Sequence, residues 1–325
     1  MIIEFEDTCW TTSNAQWTQS LVELLAMLAR RQQHALLANP SPMLTWCAAN
    51  LPSHASYFAT RLASAVARQN ATALCISPSG NTKIINDPIW KLTANAAFDV
   101  INQPLRVVLE NNDSDKMFLD ATLPKFKLWC DEGYISADMG GGSAMGSNIE
   151  ATCADFLRKW RTFYLFDSDR LHPLELVPGW KPPKRDGCQG FVFQTKCSHM
   201  PPGRWHMLSR RSIENYLPES VLLHRNLATT TELFKPAIGV MLNHYNFKNG
   251  LQGDGIHPFN PDQRVRTSRS NGFWTSLTPI AMDNLQKGFG NDVAKEFMNV
   301  PASYSWSPAI NNELDILSDA IQDAM

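Results

Sequence analysis

Three apolar segments that each lead into acidic side chains constrain this chain more than any other feature. The segments with their acids are Leu105–Leu109 with Glu110, Thr162–Phe166 with Asp167 and Asp169, and Trp205–Leu208 with Glu214. Helical patterns lie between them, and this alternation predicts a parallel sheet with helices on both faces. Because ligands of such sheets bind outside the carboxyl ends of the strands, we expect these acids to meet at one edge.

The pattern divides the chain into three regions. Residues 1–102 have apolar side chains mainly at helical spacing, which predicts a mostly helical N-terminal region. Within it, Ala73–Ser77 and Lys83–Ile85 flank a Pro-Ser-Gly-Asn turn and predict a hairpin. Residues 103–220 hold the strands and helices of the sheet, and residues 221–325 return to helix. The expected class is therefore α/β, a small parallel-sheet core flanked by two helical regions.

The composition limits which binding partners and which cellular compartment are expected. The net charge of −2 over 325 residues shows no global basic excess of the kind that marks dedicated nucleic-acid binders, although local basic patches remain open. Seven scattered cysteines without a CxxC pair predict free thiols in a cytoplasmic protein. The spacing of Cys188, Cys197, His199 and His206 matches no standard zinc pattern. No signal peptide or membrane span is expected, because no apolar run approaches ~18 residues.

The acidic side chains are of the type that binds a hard divalent cation. Mg²⁺ prefers oxygen ligands, and paired carboxylates commonly supply them. Asp167 and Asp169 point to the same side if their strand continues, because side chains alternate along a strand. Glu110 on a neighbouring strand could join them. Two such ions about 4 Å apart can activate water and stabilise the leaving oxygen of a phosphodiester.

The order of these motifs resembles a TOPRIM domain, the metal-binding module of topoisomerases, primases and a class of nucleases. It is most similar to nucleases of the OLD (overcoming lysogenisation defect) type and to related antiphage TOPRIM proteins. The matching segments are VVLENNDSDKMFL at 107–119, FYLFDSD at 163–169, RRSIENYL at 210–217 and, more loosely, HYNFKNGL at 244–251. The resemblance implies a TOPRIM core over roughly residues 104–220, completed by the C-terminal region.

The resemblance also implies roles for individual residues. It implies a site for two ions of Mg²⁺ or Mn²⁺, with the ligands Glu110, Asp115, Asp167, Asp169 and Glu214. Lys248 is the matching catalytic lysine, which would stabilise charge at the scissile phosphate. The family's usual acid falls on Ser114 here, so both Asp113 and Asp115 remain candidates, and Asp115 is preferred.

Glycines and arginines complete the expected site. Gly140, Gly141 and Gly142 would let a phosphate or metal approach the backbone closely. Contacts to the nucleic-acid backbone, which position it without reading sequence, are expected from Arg210, Arg211, Arg264, Arg266 and Arg269. A solvated protein surface is the alternative interpretation of these arginines.

The expected function is a metal-dependent nuclease, with DNA favoured over tRNA or other RNA, acting as the effector of a bacterial antiphage defence system. No GxxxxGK[ST] loop is present, so control by nucleotide would require a separate ATPase partner protein. A homo-oligomer also remains open. Two alternatives are a DxD glycosyltransferase, since FYLFDSD resembles a strand that binds a nucleotide-sugar through Mn²⁺, and a regulatory subunit with a degenerate site that docks a partner.

Overall fold

The computed structural model describes residues 2–31, 34–65, 73–81, 90–260, 269 and 272–325. Within them the chain forms two four-stranded sheets in which every strand pairing is parallel. The strands are β1 (Ile2–Phe5), β2 (Ala35–Leu37), β3 (Ala73–Asn81), β4 (Trp90–Leu92), β5 (Leu105–Leu109), β6 (Ile135–Met139), β7 (Thr162–Phe166) and β8 (Trp205–Met207). The expected α/β class is therefore confirmed.

Helices surround both sheets. The α-helices are α1 (Thr8–Thr11), α2 (Ala15–Arg31), α3 (Pro40–Asn50), α4 (Ala55–Ala65), α5 (Ala94–Ile101), α6 (Asn112–Thr122), α7 (Pro124–Asp131), α8 (Gly142–Ala154), α9 (Phe156–Trp160), α10 (Gln189–Cys197), α11 (Glu219–Leu222), α12 (Leu227–Leu233), α13 (Gly250–Gly253), α14 (Pro279–Asn284) and α15 (Pro308–Ala324). Short 3₁₀ helices span Pro52–His54, Pro173–Leu176, Ile213–Tyr216, Gly239–His244 and Val293–Asn299. No helix of the described ranges is long and apolar enough to cross a membrane.

The first sheet, in the order β2-β1-β3-β4, lies in the region that the sequence pattern predicts to be mostly helical. Helices still cover more of the described part of residues 1–102 than strands do, but the pattern missed this sheet, because strands as short as β1, β2 and β4 leave little periodic signal beside the longer helices. The first half of the predicted hairpin lies in β3, which pairs in parallel with both β1 and β4. The second half, 83–85, lies outside the described residues.

The second sheet has the order β6-β5-β7-β8, with β5 and β7 in its interior. Alternate residues of β5 pack on opposite faces: Val107 and Leu109 join one apolar core, and Val108 joins another. Strands of parallel sheets are typically buried on both faces in this way. Each fully buried Val or Leu contributes about 1.5–3 kcal/mol, so the end of β5, and the acid that follows it, is held firmly.

Three elements outside the strands position the site. Helix α8 begins at Gly142, directly after Gly140 and Gly141. Helix α10 begins at Gln189. Glu214 lies on the 3₁₀ helix Ile213–Tyr216, which carries a capping box between Ser212 and Asn215. The apolar core on one face of the second sheet includes residues from Leu105 to Met325, so the C-terminal region packs on the same core as β5.

Candidate metal and phosphodiester site

Glu110 lies directly after β5, and Asp115 lies in the first turn of α6 behind it. Asp115 Oδ2 accepts a hydrogen bond from Asn111 N at 2.9 Å, and Ser114 Oγ donates to Asp115 Oδ1 at 3.2 Å. These contacts turn the buried Asp115 back toward the strand end. Asp113 is exposed on the same turn. The structure therefore places Asp115, and not Asp113, beside Glu110.

Asp167 and Asp169 follow β7 on the neighbouring strand. Asp167 Oδ1 accepts from Ile213 N at 3.0 Å, and Asp169 Oδ2 accepts from Gly190 N at 3.1 Å. Asp169 has a φ of 53°, the only positive φ of a non-glycine residue in the part of the chain that the structure describes. Asp tolerates this region better than most residues, and such strained backbone clusters at functional sites.

Glu214 and Lys248 complete the group from outside the sheet. Glu214 is only 1% exposed, and its Oε1 lies 3.0 Å from Lys248 Nζ. Asn215 fixes the two segments together, because its Nδ2 donates to Leu242 O at 2.7 Å and to Tyr245 O at 3.0 Å. The lysine side chain remains 43% exposed. Lys248 therefore touches the acidic group on one side and solvent on the other.

The acids act on one another electrostatically. Burial, followed by the charges of Asp169 and Asp115, raises the pKa of Glu110 to about 7. Burial raises the pKa of Asp115 to about 6, with the charge of Glu214 adding to it. The pKa of Asp167 lies well above its usual value because of burial and then the charges of Glu110 and Glu214. Burial also raises the pKa of Asp169, although the charges of nearby cations, first that of Arg211, oppose this. The excess of acids favours protons or a cation among them.

The same acids are of the ligand type that a divalent metal prefers, but their oxygens are not arranged in coordination geometry. Among the residues that the structure describes, no group of three or more Asp, Glu, His or Cys side chains is placed to hold an ion. Their oxygens accept backbone N–H groups instead, as Asp167 does from Ile213. However, Glu110 Oε2 is buried without any hydrogen-bond partner. A buried carboxylate oxygen without a donor, surrounded by like charges, is the kind of atom that a cation satisfies.

The three glycines after β6 divide into two kinds. A Cβ on Gly140 would lie 2.9 Å from Val108 Cγ1 and 3.1 Å from Leu109 O, so its close approach is to β5 itself. The expected role of Gly140 in admitting a ligand is thus replaced by packing within the fold. Gly142, at the start of α8, has open space where a side chain would stand, whereas a Cβ on Gly141, whose φ is 66°, would lie 3.8 Å from Ala144 Cβ.

The arginines expected to contact nucleic acid are mostly engaged inside the protein. Arg211 Nη1 and Nη2 donate to the carboxylate of Asp254 at 2.6 and 2.8 Å. Arg269 is buried and pairs with Glu175 Oε2 at 2.5 Å. Arg210 is half-buried, donates to Asn215 O and lies over the Tyr216 ring. This placement corrects the expected backbone contacts of these three, because their donors already have internal acceptors. Arg264 and Arg266 lie outside the described residues.

Sequence reasoning missed residues that hold the acids in place. Gly190 at the start of α10 packs on the Asp-Ser-Asp backbone: a Cβ there would lie 2.6 Å from Asp167 O. Arg211 O accepts from Asp169 N at 3.0 Å, so the Arg211–Asp254 ion pair positions the second aspartate. No motif of the sequence signals this contact, and only the fold shows that α10 lies against this backbone and that Gly190 N donates to Asp169 Oδ2.

The chain was compared with protein-family models, with curated proteins and with solved structures, and nothing matches in any of the three comparisons.

Proposed function

We propose that this protein cleaves phosphodiester bonds of nucleic acid with the help of divalent metal ions bound at the edge of the second sheet. The observation that carries the proposal is the meeting of Glu110, Asp115, Asp167, Asp169 and Glu214 with Lys248 at the carboxyl end of the sheet. Burying several carboxylates together without cations costs several kcal/mol. A protein that keeps such a group gains function from the cations that neutralise it.

Each side chain has a role that its position supports. Glu110, Asp167 and Asp169 would hold one Mg²⁺ or Mn²⁺, and Asp115 with Glu214 would hold a second or orient water. Such ions supply a Lewis acid for the phosphate and lower the pKa of an attacking water. Lys248 is already placed at the solvent side of the acids. Its ammonium can contact the phosphate that lies against them and offset the charge that builds up there.

The resemblance of FYLFDSD and RRSIENYL to OLD-type nucleases supports a place in antiphage defence, with regulation by a separate ATPase partner. The order of site residues favours this over glycosyl transfer, because Glu110 and Glu214 stand with the two aspartates and have no role in a DxD sugar-nucleotide site.

Purified protein, incubated with supercoiled plasmid DNA and separately with tRNA, tests the proposal. We expect cleavage with Mg²⁺ or Mn²⁺, with DNA favoured, no cleavage with EDTA, and the rate of Asp167→Asn reduced to the EDTA level. Circular dichroism of that variant checks that the fold is intact. Equal cleavage by the wild type and Asp167→Asn, or no cleavage of either nucleic acid with either metal, would contradict the proposal.

A further inference from the structure

A polar cavity of about 380 Å³ lies on the solvent side of Lys248. It is lined by Lys248, Asn249, Gln252, Gly253, Lys287 and Gly288. Two ammonium groups and two side-chain amides thus border it, and no acidic residue among those that the structure describes lines it. A concave surface with several donors and a positive charge suits an anion.

The walls of the cavity are fixed to each other by backbone contacts. Leu251 N donates to Leu285 O at 3.0 Å, and Phe289 N donates to Phe247 O at 2.7 Å. Glycine is required at position 288, where the two segments approach each other, because a Cβ there would lie 2.6 Å from Lys248 O. The segment that carries Lys287 is therefore held firmly against the segment that carries Lys248.

The cavity is also joined to the acidic site. Lys248 Nζ pairs with Glu214 Oε1 at 3.0 Å while Lys248 lines the cavity, so this one residue borders both. A second connection runs through Asp254, which follows the lining residue Gly253 and accepts from Arg211, whose carbonyl oxygen accepts from Asp169 N. A molecule that filled the cavity would thus lie next to whatever the acids bind.

We propose that this cavity binds a backbone phosphate of the nucleic-acid strand, next to the phosphate that is cleaved, with Lys287 as its second cation. The inference rests on the proposed function and adds a substrate-binding residue to it. Lys287 is exposed and has no acidic partner among the described residues. Contacts to phosphate carry no sequence information, so such a site would hold DNA and RNA by their shared backbone chemistry.

Salt-dependent binding tests the inference separately from cleavage. In the Asp167→Asn background with Mg²⁺, the affinity for labelled DNA and RNA oligonucleotides is measured from 50 to 200 mM salt, a range over which phosphate contacts dominate the change. Lys287→Gln should weaken binding several-fold and lower the slope of log K against log salt by about 1. Lys287→Arg should keep the slope. Lys295→Gln removes the same charge from an exposed site outside the cavity and should leave binding unchanged.

The outcomes separate the two proposals. Equal slopes for the parent and Lys287→Gln, or equal losses for Lys287→Gln and Lys295→Gln, overturn the phosphate site, even where the wild type cleaves nucleic acid. Failure of the parent to bind either oligonucleotide overturns it as well. Loss for every nucleic acid that the parent binds supports the site, whereas loss for only one of two that it binds overturns a contact to their shared backbone. The cleavage assay with wild type alone decides the proposed function.

Discussion

The two sheets of this protein have the same strand order, but the glutamate that follows the first strand has opposite electrostatic surroundings in the two. In each, the first strand along the chain lies between the second and the third, and a glutamate follows it: Glu6 after β1 and Glu110 after β5. Glu6 Oε1 pairs with Lys91 Nζ at 2.6 Å, and hydrogen bonds from Lys91 and then Ser77 lower its pKa. Burial and neighbouring acids instead raise the pKa of Glu110.

The difference arises in the third strand. Phe5 is in register with Ile76 in the first sheet, and Leu109 is in register with Leu165 in the second. The residues two and four positions after Ile76 are Pro78 and Gly80. The residues two and four positions after Leu165 are Asp167 and Asp169. The glutamate after the first strand therefore forms an ion pair in one sheet and joins a group of acids in the other, because β3 brings no acid and β4 brings Lys91.

Removing the lysine at each sheet should give the largest contrast in catalysis. Lys248→Met should lower the rate of metal-dependent cleavage by about 10²–10³-fold, the usual effect of losing one group that stabilises the transition state. Lys91→Met should leave the rate unchanged, because Lys91 pairs only with the acid of the first sheet. Single-turnover rates on the preferred substrate measure both. Similar rates for the two variants would remove Lys248 from the mechanism.

Disturbing the packing of α10 on the second sheet should have the next largest effect on stability and cleavage. Gly190→Ala must displace the backbone that carries Asp167 and Ser168, so the free energy of unfolding should fall by about 1–3 kcal/mol and cleavage should slow. Gly187→Ala is the matched control, because a Cβ there meets nothing within 4 Å. Chemical denaturation and cleavage rates compare the two. If Gly190→Ala behaves as Gly187→Ala does, the Asp-Ser-Asp backbone is not held by α10.

The pH dependence of stability should distinguish the second sheet from the first. The folded-state pKa values of Glu110 and Asp115 are raised to about 7 and about 6, so without metal the folded protein holds protons that the unfolded chain has released. Their contribution to stability is present at low pH and is lost as the pH rises through these values. In EDTA, the melting temperature should fall by several degrees from pH 5 to pH 7.5.

Metal should reverse that trend, because cations bind deprotonated carboxylates more tightly. The stabilisation by Mg²⁺ should therefore grow from pH 5 to pH 7.5. Glu313, whose pKa is lowered to about 2 by the hydrogen bonds of His206, Ser209 and Tyr216 against the opposing effect of burial, loses its contribution only below this range. Differential scanning fluorimetry at several pH values makes the test. A pH profile in EDTA equal to that of Glu110→Gln would mean that the acids are not coupled as described, since buried His34 and His244, whose pKa values burial lowers, oppose the acids in both proteins.

The smallest effect is expected at the first sheet. Glu6→Gln breaks an ion pair whose two side chains are each about one-third exposed, and such pairs contribute little because solvent screens them. The melting temperature should change by no more than a few degrees, and cleavage should be unchanged. Thermal melts beside the wild type measure this. A large loss of activity would show that the first sheet contributes to the reaction.

The second sheet was predictable and the first was not, for a physical reason. Strands β5 and β7 are five residues long and buried on both faces, so each appears as an apolar run that ends in acids. In contrast, β2 and β4 have three residues each, and nearby helical patterns mask them. Asp167 and Asp169 could be found by their spacing. The placement of Lys248 depends on contacts of Asn215 with Leu242 and Tyr245, which no periodic pattern records.

Calorimetric titration of Mn²⁺ into three purified forms of the protein tests the central claim most directly. The wild type and Glu6→Gln should bind the ion alike, because Glu6 is already paired with Lys91. Glu110→Gln should lose binding while its melting temperature in EDTA stays at or above that of the wild type, since a buried acid has been replaced by a neutral side chain. Unchanged binding by Glu110→Gln, or equal loss in Glu6→Gln, would contradict the assignment of the metal site to the second sheet.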